Sequence, residues 1–187
     1  MASFSALTLR TARLELRPFG PGDADALFAL HADPVVMRYG SSAPWSDRQQ
    51  ALDRLERDRR EMAAGNYICL AIVPIGAATP IGDCSLFSLD AQCRRAEVGY
   101  SLRPASWGHG YANEAVAALL DWGFATLDLN RVEADIDPRN TPSARTLERL
   151  GFTREGHLRE RWIVDGEVSD SWLYGLLARD WKAARAA

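Results

Sequence analysis

Lysine is almost absent from this chain. Of its 22 lysines and arginines only Lys182 is a lysine, and it sits in the last few residues. A nucleotide-binding loop of the GxxxxGK[ST] type, whose lysine neutralises the terminal phosphates, is thereby excluded. Cysteine is scarce too: Cys69, Cys84 and Cys93 are odd in number, far apart and form no CxxC pair. They read as free thiols in a reducing, cytoplasmic setting rather than as a disulfide frame. The three histidines, His31, His109 and His157, show no metal-ligand spacing, so no metal is expected. No stretch approaches the roughly 18–20 apolar residues of a membrane span. The opening MASFSALTLRTARLELR lacks the apolar run of a secretory signal. A net charge of −3 gives no reason to expect nucleic acid as a partner. There is no internal repeat, low-complexity segment or long linker.

What remains is ordinary globular material: 187 residues, 47% hydrophobic and 25% charged, enough for one core. One domain over 1–187 is expected, with residues 181–187 (ending KAARAA) as a frayed tail. Residues 7–17 alternate and predict a first strand. Gly20 to Asp25 reads as a helix start leading to Ala26–His31, with Pro34 opening another short turn. Ser46 and Gln49 form a capping-box pair ahead of a charged helix over about 47–63. In that helix Asp53/Arg57 and Glu56/Arg60 lie at i,i+4 spacing; it is either a solvated face or a lid over a ligand. Tyr67–Val73, Ile81–Leu89 and Arg95–Leu102 read as antiparallel strands. From Tyr111, apolar residues recur at helical spacing (Ala112, Ala115, Val116, Leu119, Leu120, Gly123, Leu127). Arg131–Asp137 reads as a strand and Thr141–Leu150 as a helix stopped by Gly151. Phe152–Leu177 reads as two or three strands with a turn at Asp165-Gly166. The class is α/β (α+β): a mixed, mostly antiparallel sheet flanked by helices.

The richest stretch is Gly99–Ala115, GYSLRPASWGHGYANEA. A strand, a loop with glycines two apart and a helix start aim backbone N–H groups and a helix N-terminus at one spot, which is how proteins hold phosphate. A dinucleotide fingerprint needs a small third residue where this chain has Asn113. A short pyrophosphate loop remains, with Gly108 and Gly110 admitting the oxygens to the N–H groups of roughly residues 108–112.

AEVGYSLRPASWGHGYANEA resembles the acyl-CoA-binding motif of the GCN5-related N-acetyltransferase (GNAT) superfamily. Asn140–Phe152, NTPSARTLERLGF, resembles its second motif. The finer pattern is similar to the branch of ribosomal-protein alanine and serine N-acetyltransferases: an opening LxTxRLxLRP, a WGxGYAxEA loop, Asn140 followed by Ser143, and Asp170 with the Trp181 ending. The resemblance implies two splayed neighbouring strands, Arg95–Leu102 and Arg131–Asp137. The pantetheine arm of acetyl-CoA would pair with exposed backbone of the first, near Ser101, Leu102 and Arg103. The pyrophosphate would rest on Trp107, Gly108, His109, Gly110, Tyr111 and Ala112. The superfamily loop often begins with Gln or Arg where this chain has Ala105; the backbone donors survive that loss.

The same resemblance implies transfer of acetyl to an amine by direct attack. Glu97 is the first candidate base; the plainer alternative is a structural glutamate beside Arg94 and Arg95. Glu155 and Glu160 are fallback bases. Asn140 would contact the CoA arm, cap its helix, or both. The superfamily's usual tyrosine acid falls at Leu147, so Ser143, one turn earlier, is the candidate to serve the thiol. His109 reads as a phosphate-side donor. Trp45, Tyr39, Trp107 and Trp162 either line an acceptor cleft or fill the core. The acceptor implied by the branch is a protein N-terminal α-amine. The alternatives are a polyamine, amino-acid or aminoglycoside substrate, or a CoA-binding sensor without catalysis. No metal, nucleic acid or membrane partner is expected.

Overall fold

Leu14 and Leu16 are fully buried while Glu15 and Arg17 stay half-exposed, the signature of a strand with one face on a core. The computed structural model describes residues 3–186. In it, the single strand expected over residues 7–17 is a hairpin of two: β1, Leu9–Arg10, antiparallel to β2, Leu14–Arg17. The Thr11 N–H donates to the Leu14 carbonyl and the Leu14 N–H to the Thr11 hydroxyl oxygen, both at 2.9 Å. In the sequence the turn shows only as a switch of the apolar residues from odd positions, Leu7 and Leu9, to even ones, Leu14 and Leu16.

A 3-10 turn at Pro21–Asp23 leads into α1, Ala24–His31, and Asp33 caps α2, Pro34–Met37, by accepting from the Val35 N–H at 2.8 Å. The charged helix is α3, Gln49–Ala64. Its expected Ser46/Gln49 box is displaced. Gln50 Oε1 accepts from the Ser46 and Asp47 N–H groups, and Asp47 accepts from the Gln49 N–H. Aspartate caps as well as serine, so the start slides along the chain. The expected Asp53/Arg57 and Glu56/Arg60 pairs also give way. Arg54 instead binds Asp58 at 2.8 Å, and Arg57 reaches the same buried carboxylate at 2.9 Å. The helix packs on α1 and on β3, Ile68–Pro74, through Ala51 and Met62.

β3, β4 (Gly82–Asp90) and β5 (Arg95–Leu102) form the expected antiparallel trio. α4, Tyr111–Thr126, lays Ala115, Val116, Leu119, Leu120 and Phe124 on the sheet. Gly123 belongs to that buried face because a Cβ there would come 3.0 Å from Leu86 Cδ1. β6, Arg131–Ile136, α5, Thr141–Arg149, and the hairpin β7 (Thr153–Val164) and β8 (Glu167–Leu177) follow. β6 stops one residue short of the expected Asp137, whose carboxylate turns back to accept from the Arg139 N–H at 2.8 Å.

The expected frayed tail is instead α6, Ala178–Ala186. Trp181 is buried against Phe124, its indole donates to Asp121 at 2.9 Å, and Arg185 pairs with the same carboxylate. Ala187 lies outside the described residues. The sheet has eight strands in the order β1-β2-β3-β4-β5-β6-β8-β7, antiparallel except where β5 meets β6. Each fully buried leucine of its core, such as Leu119, Leu120 or Leu147, contributes about 1.5–3 kcal/mol of burial free energy.

Candidate active site

β5 and β6 run parallel but pair only at Arg95↔Arg131, Ala96↔Val132 and Glu97↔Glu133. Beyond that point β5 stays with β4 as far as Leu102, and β6 stays with β8 as far as Ile136. The two strands part, and a wedge opens between them. Along an antiparallel ladder successive residues turn their backbone groups to opposite sides. Arg103 N–H bonds Ile81 O at 2.9 Å, so alternation turns the backbone of Leu102 and Tyr100 toward the wedge. The Leu102 carbonyl is taken there by Trp107 Nε1 at 2.7 Å. Ser101 and Arg103 are turned toward β4.

The wedge leads to the glycine loop. After a 3-10 turn at Pro104–Ser106, Gly108 and Gly110 both adopt φ +77°, and Tyr111 starts α4. Left-handed backbone costs a non-glycine residue roughly 1–2 kcal/mol, which is why glycines stand here. Glu114 N–H is the first of this stretch with a backbone acceptor, Gly110 O at 3.1 Å. The amides of residues 108–113 have none among the described residues, the normal state of a helix N-terminus. His109 stacks on Tyr111 with ring centroids 5.8 Å apart.

A clamp that motif reading missed fastens this loop. Glu114 accepts from the Thr11 hydroxyl at 2.6 Å and from Arg13 Nε at 2.6 Å, while Arg13 also donates to the His109 carbonyl at 2.9 Å. Burial alone would raise the Glu114 carboxyl, but Thr11 and Arg13 hold it below the usual range. The TxR of the opening and the EA of the loop are thus two halves of one contact.

On α5, Asn140 Oδ1 accepts from the Ser143 N–H at 3.2 Å, so Asn140 is the N-cap, and its NH2 has no partner among the described residues. Ser143 Oγ lies 2.8 Å from Tyr100 Oη across the wedge. Leu147 is fully buried in the core, so the position of the superfamily's tyrosine holds no acid in this chain.

On the Glu97 side of β4 and β5 lies a cleft of about 550 Å³ that reaches Val98 and Tyr100 at the wedge. Asp83, Ser85, Phe87, Glu97 and Gly99 form its floor. His31 and the Tyr39–Pro44 segment line one side, and Asp135, Asp137, Trp162 and Glu167 the other. Glu97 forms no ion pair with its neighbours: Arg95 binds Glu133 at 2.7 Å and Arg94 binds Asp128 at 2.8 Å. The fallback bases are elsewhere. Glu155 is paired with Arg131, and Glu160, at φ +52°, gives its N–H to Asp170 at 2.8 Å.

Beneath the cleft His31 Nε2 lies 3.0 Å from the buried Asp83, with Arg54 at 3.8 Å. Burial alone would raise the Asp83 carboxyl, but the His31 hydrogen bond and the Arg54 charge hold it below the usual range. Trp45 stacks on His31 at 4.5 Å between centroids. At the mouth Arg139 joins Asp137 and Glu167, each at 2.6 Å, and lies over the Tyr39 ring. None of the four candidate aromatics is in the core: Tyr39 and Trp162 line the cleft, Trp45 backs His31, and Trp107 is 47% exposed on the loop. Tyr100, His31, Asp83 and Arg139 went unread as site residues. Only the parity of Tyr100, opposite to that of Glu97 on one strand, offered a signal.

Burial pushes the Cys69 thiol up to about 12 and raises Cys84 as well, so neither is a thiolate nucleophile. Among the described residues no cluster of potential metal ligands occurs, and no helix is long and apolar enough to cross a membrane.

The acetyltransferase (GNAT) domain family matches residues 13–153. The uncharacterized N-acetyltransferase p20 of Bacillus licheniformis is 38% identical, covering 93% of this chain and 98% of its own. YdaF of Bacillus subtilis, provisionally named a ribosomal N-acetyltransferase, is 36% identical over 68% of each chain. The spermidine N(1)-acetyltransferase of Vibrio cholerae is 25% identical over 84% of this chain and 89% of its own. The crystal structure of a GNAT-family acetyltransferase from Bacillus anthracis superposes with a TM-score of 0.82 at 25% identity, covering 92% of this chain and 99% of that one.

Proposed function

The chain belongs to the GNAT acetyltransferase family, and from that premise we propose how its residues divide the work of an acetyl-CoA-dependent N-acetyltransferase. The observation that carries the reading is the wedge between β5 and β6, open from Glu97 onward and ending on the two left-handed glycines. The wedge takes the pantetheine arm, bonded by backbone groups around Leu102. The pyrophosphate takes the amides of residues 108–112 and the N-terminus of α4. The Asn140 NH2 serves the arm where it reaches α5. Residues 1–187 act as one transferase domain.

Acetyl transfer needs a neutral amine, because an ammonium has no lone pair. Glu97, facing the cleft without a cation of its own, takes one proton from the acceptor through water. The nitrogen then attacks the thioester carbonyl and the C–S bond breaks. The second proton of the attacking nitrogen goes to the departing sulfur, giving free thiol and the amide. Ser143 hydrogen-bonds that sulfur as charge develops on it. Cys69 and Cys84 are buried as thiols and the exposed Cys93 does not line the cleft, so no cysteine stands in place for an acyl-enzyme and the attack is direct.

For the acceptor we propose a protein N-terminal α-amine, supported by the Asn140/Ser143 pattern of the ribosomal-protein branch. Such an amine, with pKa about 7.7–8.0, needs less help from a base than a lysine at about 10.4. A polyamine is the second reading, favoured by the carboxylates Asp135, Asp137, Asp165 and Glu167 along the cleft. Thiol release from acetyl-CoA, measured against N-terminal peptides, polyamines, amino acids and aminoglycosides, separates the two. Turnover on peptides with weak polyamine activity is expected. The reverse ranking reassigns the acceptor, and CoA binding with no thiol release on any amine indicates a sensor.

A further inference from the structure

We propose that Tyr100 is a positioning residue that aims the Ser143 hydroxyl at the thioester sulfur; this rests on the reading of Ser143 given above. The two side chains come from different elements, Tyr100 from β5 and Ser143 from α5, 43 residues apart. Tyr100 Oη lies 2.8 Å from Ser143 Oγ and 3.3 Å from the Ser143 carbonyl. A serine hydroxyl has one proton and must give it somewhere. If Ser143 donates to the phenol, the phenol donates to the Ser143 carbonyl and nothing is left for the sulfur. If the phenol donates to Ser143 Oγ, the serine proton is free to point into the wedge.

Charge developing on the sulfur selects the second arrangement. The chain Tyr100 O–H to Ser143 O–H to sulfur then runs in one direction, each bond strengthening the next. No covalent bond changes in Tyr100 or Ser143, and the proton that ends on the thiol remains the one released by the attacking nitrogen. Burial raises the Tyr100 phenol to about 12, against smaller lowering effects from Ser143 and Thr146. It is therefore a neutral donor over the working pH range and a poorer acid than the thiol it would have to protonate, with pKa about 8.5. That places its role in orientation rather than in proton delivery. Leu147, fully buried one turn after Ser143, offers no competing hydroxyl.

The test is a double-mutant cycle on the full chain with Tyr100→Phe and Ser143→Ala, under saturating acetyl-CoA and the best acceptor amine. Each single variant is expected to lower kcat by about tenfold, the scale of one hydrogen bond, with KM for acetyl-CoA within twofold. The double variant should be no slower than the slower single. Ser143→Ala with unchanged kcat overturns the reading of Ser143 itself. A Ser143→Ala defect combined with a normal Tyr100→Phe, or with losses that multiply, overturns only the role of Tyr100. A Tyr100→Phe defect confined to KM for acetyl-CoA also overturns it, because the ring is then merely a wall of the wedge. Should Tyr100→Phe fail to fold, Ser143→Thr decides. Retained kcat supports a hydroxyl held in place by Tyr100, and a loss equal to that of Ser143→Ala counts against it.

Discussion

The wedge side of the sheet and the cleft side are built in opposite ways. The wedge side comes almost entirely from one run of chain, β5, the glycine loop, α4, β6 and the start of α5, residues 95–143. Its decisive groups are backbone amides and left-handed glycines. The cleft side gathers His31 from α1, Tyr39 from a loop, Asp83 from β4, Glu97 from β5, Asp135 from β6 and Trp162 from β7. Its decisive groups are side chains, several of them neutralised by partners far away in sequence. A site made of backbone amides in one contiguous run depends little on which side chains surround it. A site made of side chains on many loops and strand ends can change its substrate without disturbing the fold.

If the two sides are separable, variants should affect one substrate and spare the other. The largest effect is expected from Glu97→Gln. Loss of a general base costs about 10²-fold in kcat/KM for the amine at pH 7. The gap should narrow toward pH 9, where an α-amine of pKa about 7.7–8.0 sheds its own proton. A parallel profile across that range would move the base elsewhere. Next comes Gly110→Val, a β-branched residue forced to φ +77°. The unbound loop relieves roughly 1–2 kcal/mol of left-handed strain by leaving that conformation, and acetyl-CoA must restore it, so calorimetry should show binding weakened by about tenfold, with the acceptor KM unchanged. An equal rise in both constants would show that the two sides are coupled.

Arg139→Ala is milder. It frees Asp137 and Glu167 at the mouth, so KM for a polycationic acceptor should fall by about three- to fivefold, as expected of one partly exposed charge. Acetyl-CoA affinity should not respond. Smallest is Glu114→Gln, which loosens the Thr11–Arg13 clamp and should lower Tm by about 2–4 °C at pH 7. The Glu114 carboxyl is held below its unfolded value. Its stabilisation is therefore present above the unfolded pKa, about 4.3, and lost as pH falls through the folded value. The Tm difference between variant and parent should close below pH 4, and a difference that persists there would assign the effect to packing.

The same contrast explains what could be read in advance. The wedge side was legible because its chemistry is local: Gly108 and Gly110 before a helix, Asn140 before Ser143, and the loss of period two at Tyr111 all lie within short windows. The hairpin turn at Thr11–Arg13 was missed because two alternating runs, Leu7/Leu9 on odd positions and Leu14/Leu16 on even ones, were joined into one strand across the break in parity between them. The helical end of the chain was missed because KAARAA carries no apolar stripe, and its hold comes from distant groups: Asp121, the pocket around Trp181 and the Asn130 carbonyl that takes the Ala178 N–H. The cap of α3 shifted because Ser46 and Asp47 are both adequate caps and packing of Ala51 and Met62 chose between them.

By itself the sequence determined the family motifs, the glycine loop and the order of the elements from β3 to α5, since these depend on residue type and short spacing. Only the tertiary structure decided that Glu97 has no ion pair among the described residues while Glu133 takes Arg95 and Arg131. It alone decided that Tyr100 meets Ser143 across the wedge, and that Arg13 grips Glu114 about 100 positions away. Such pairings join residues with no relation along the chain, and they exist because the core fixes where β5 and β6 part and how α4 and α5 lie on them.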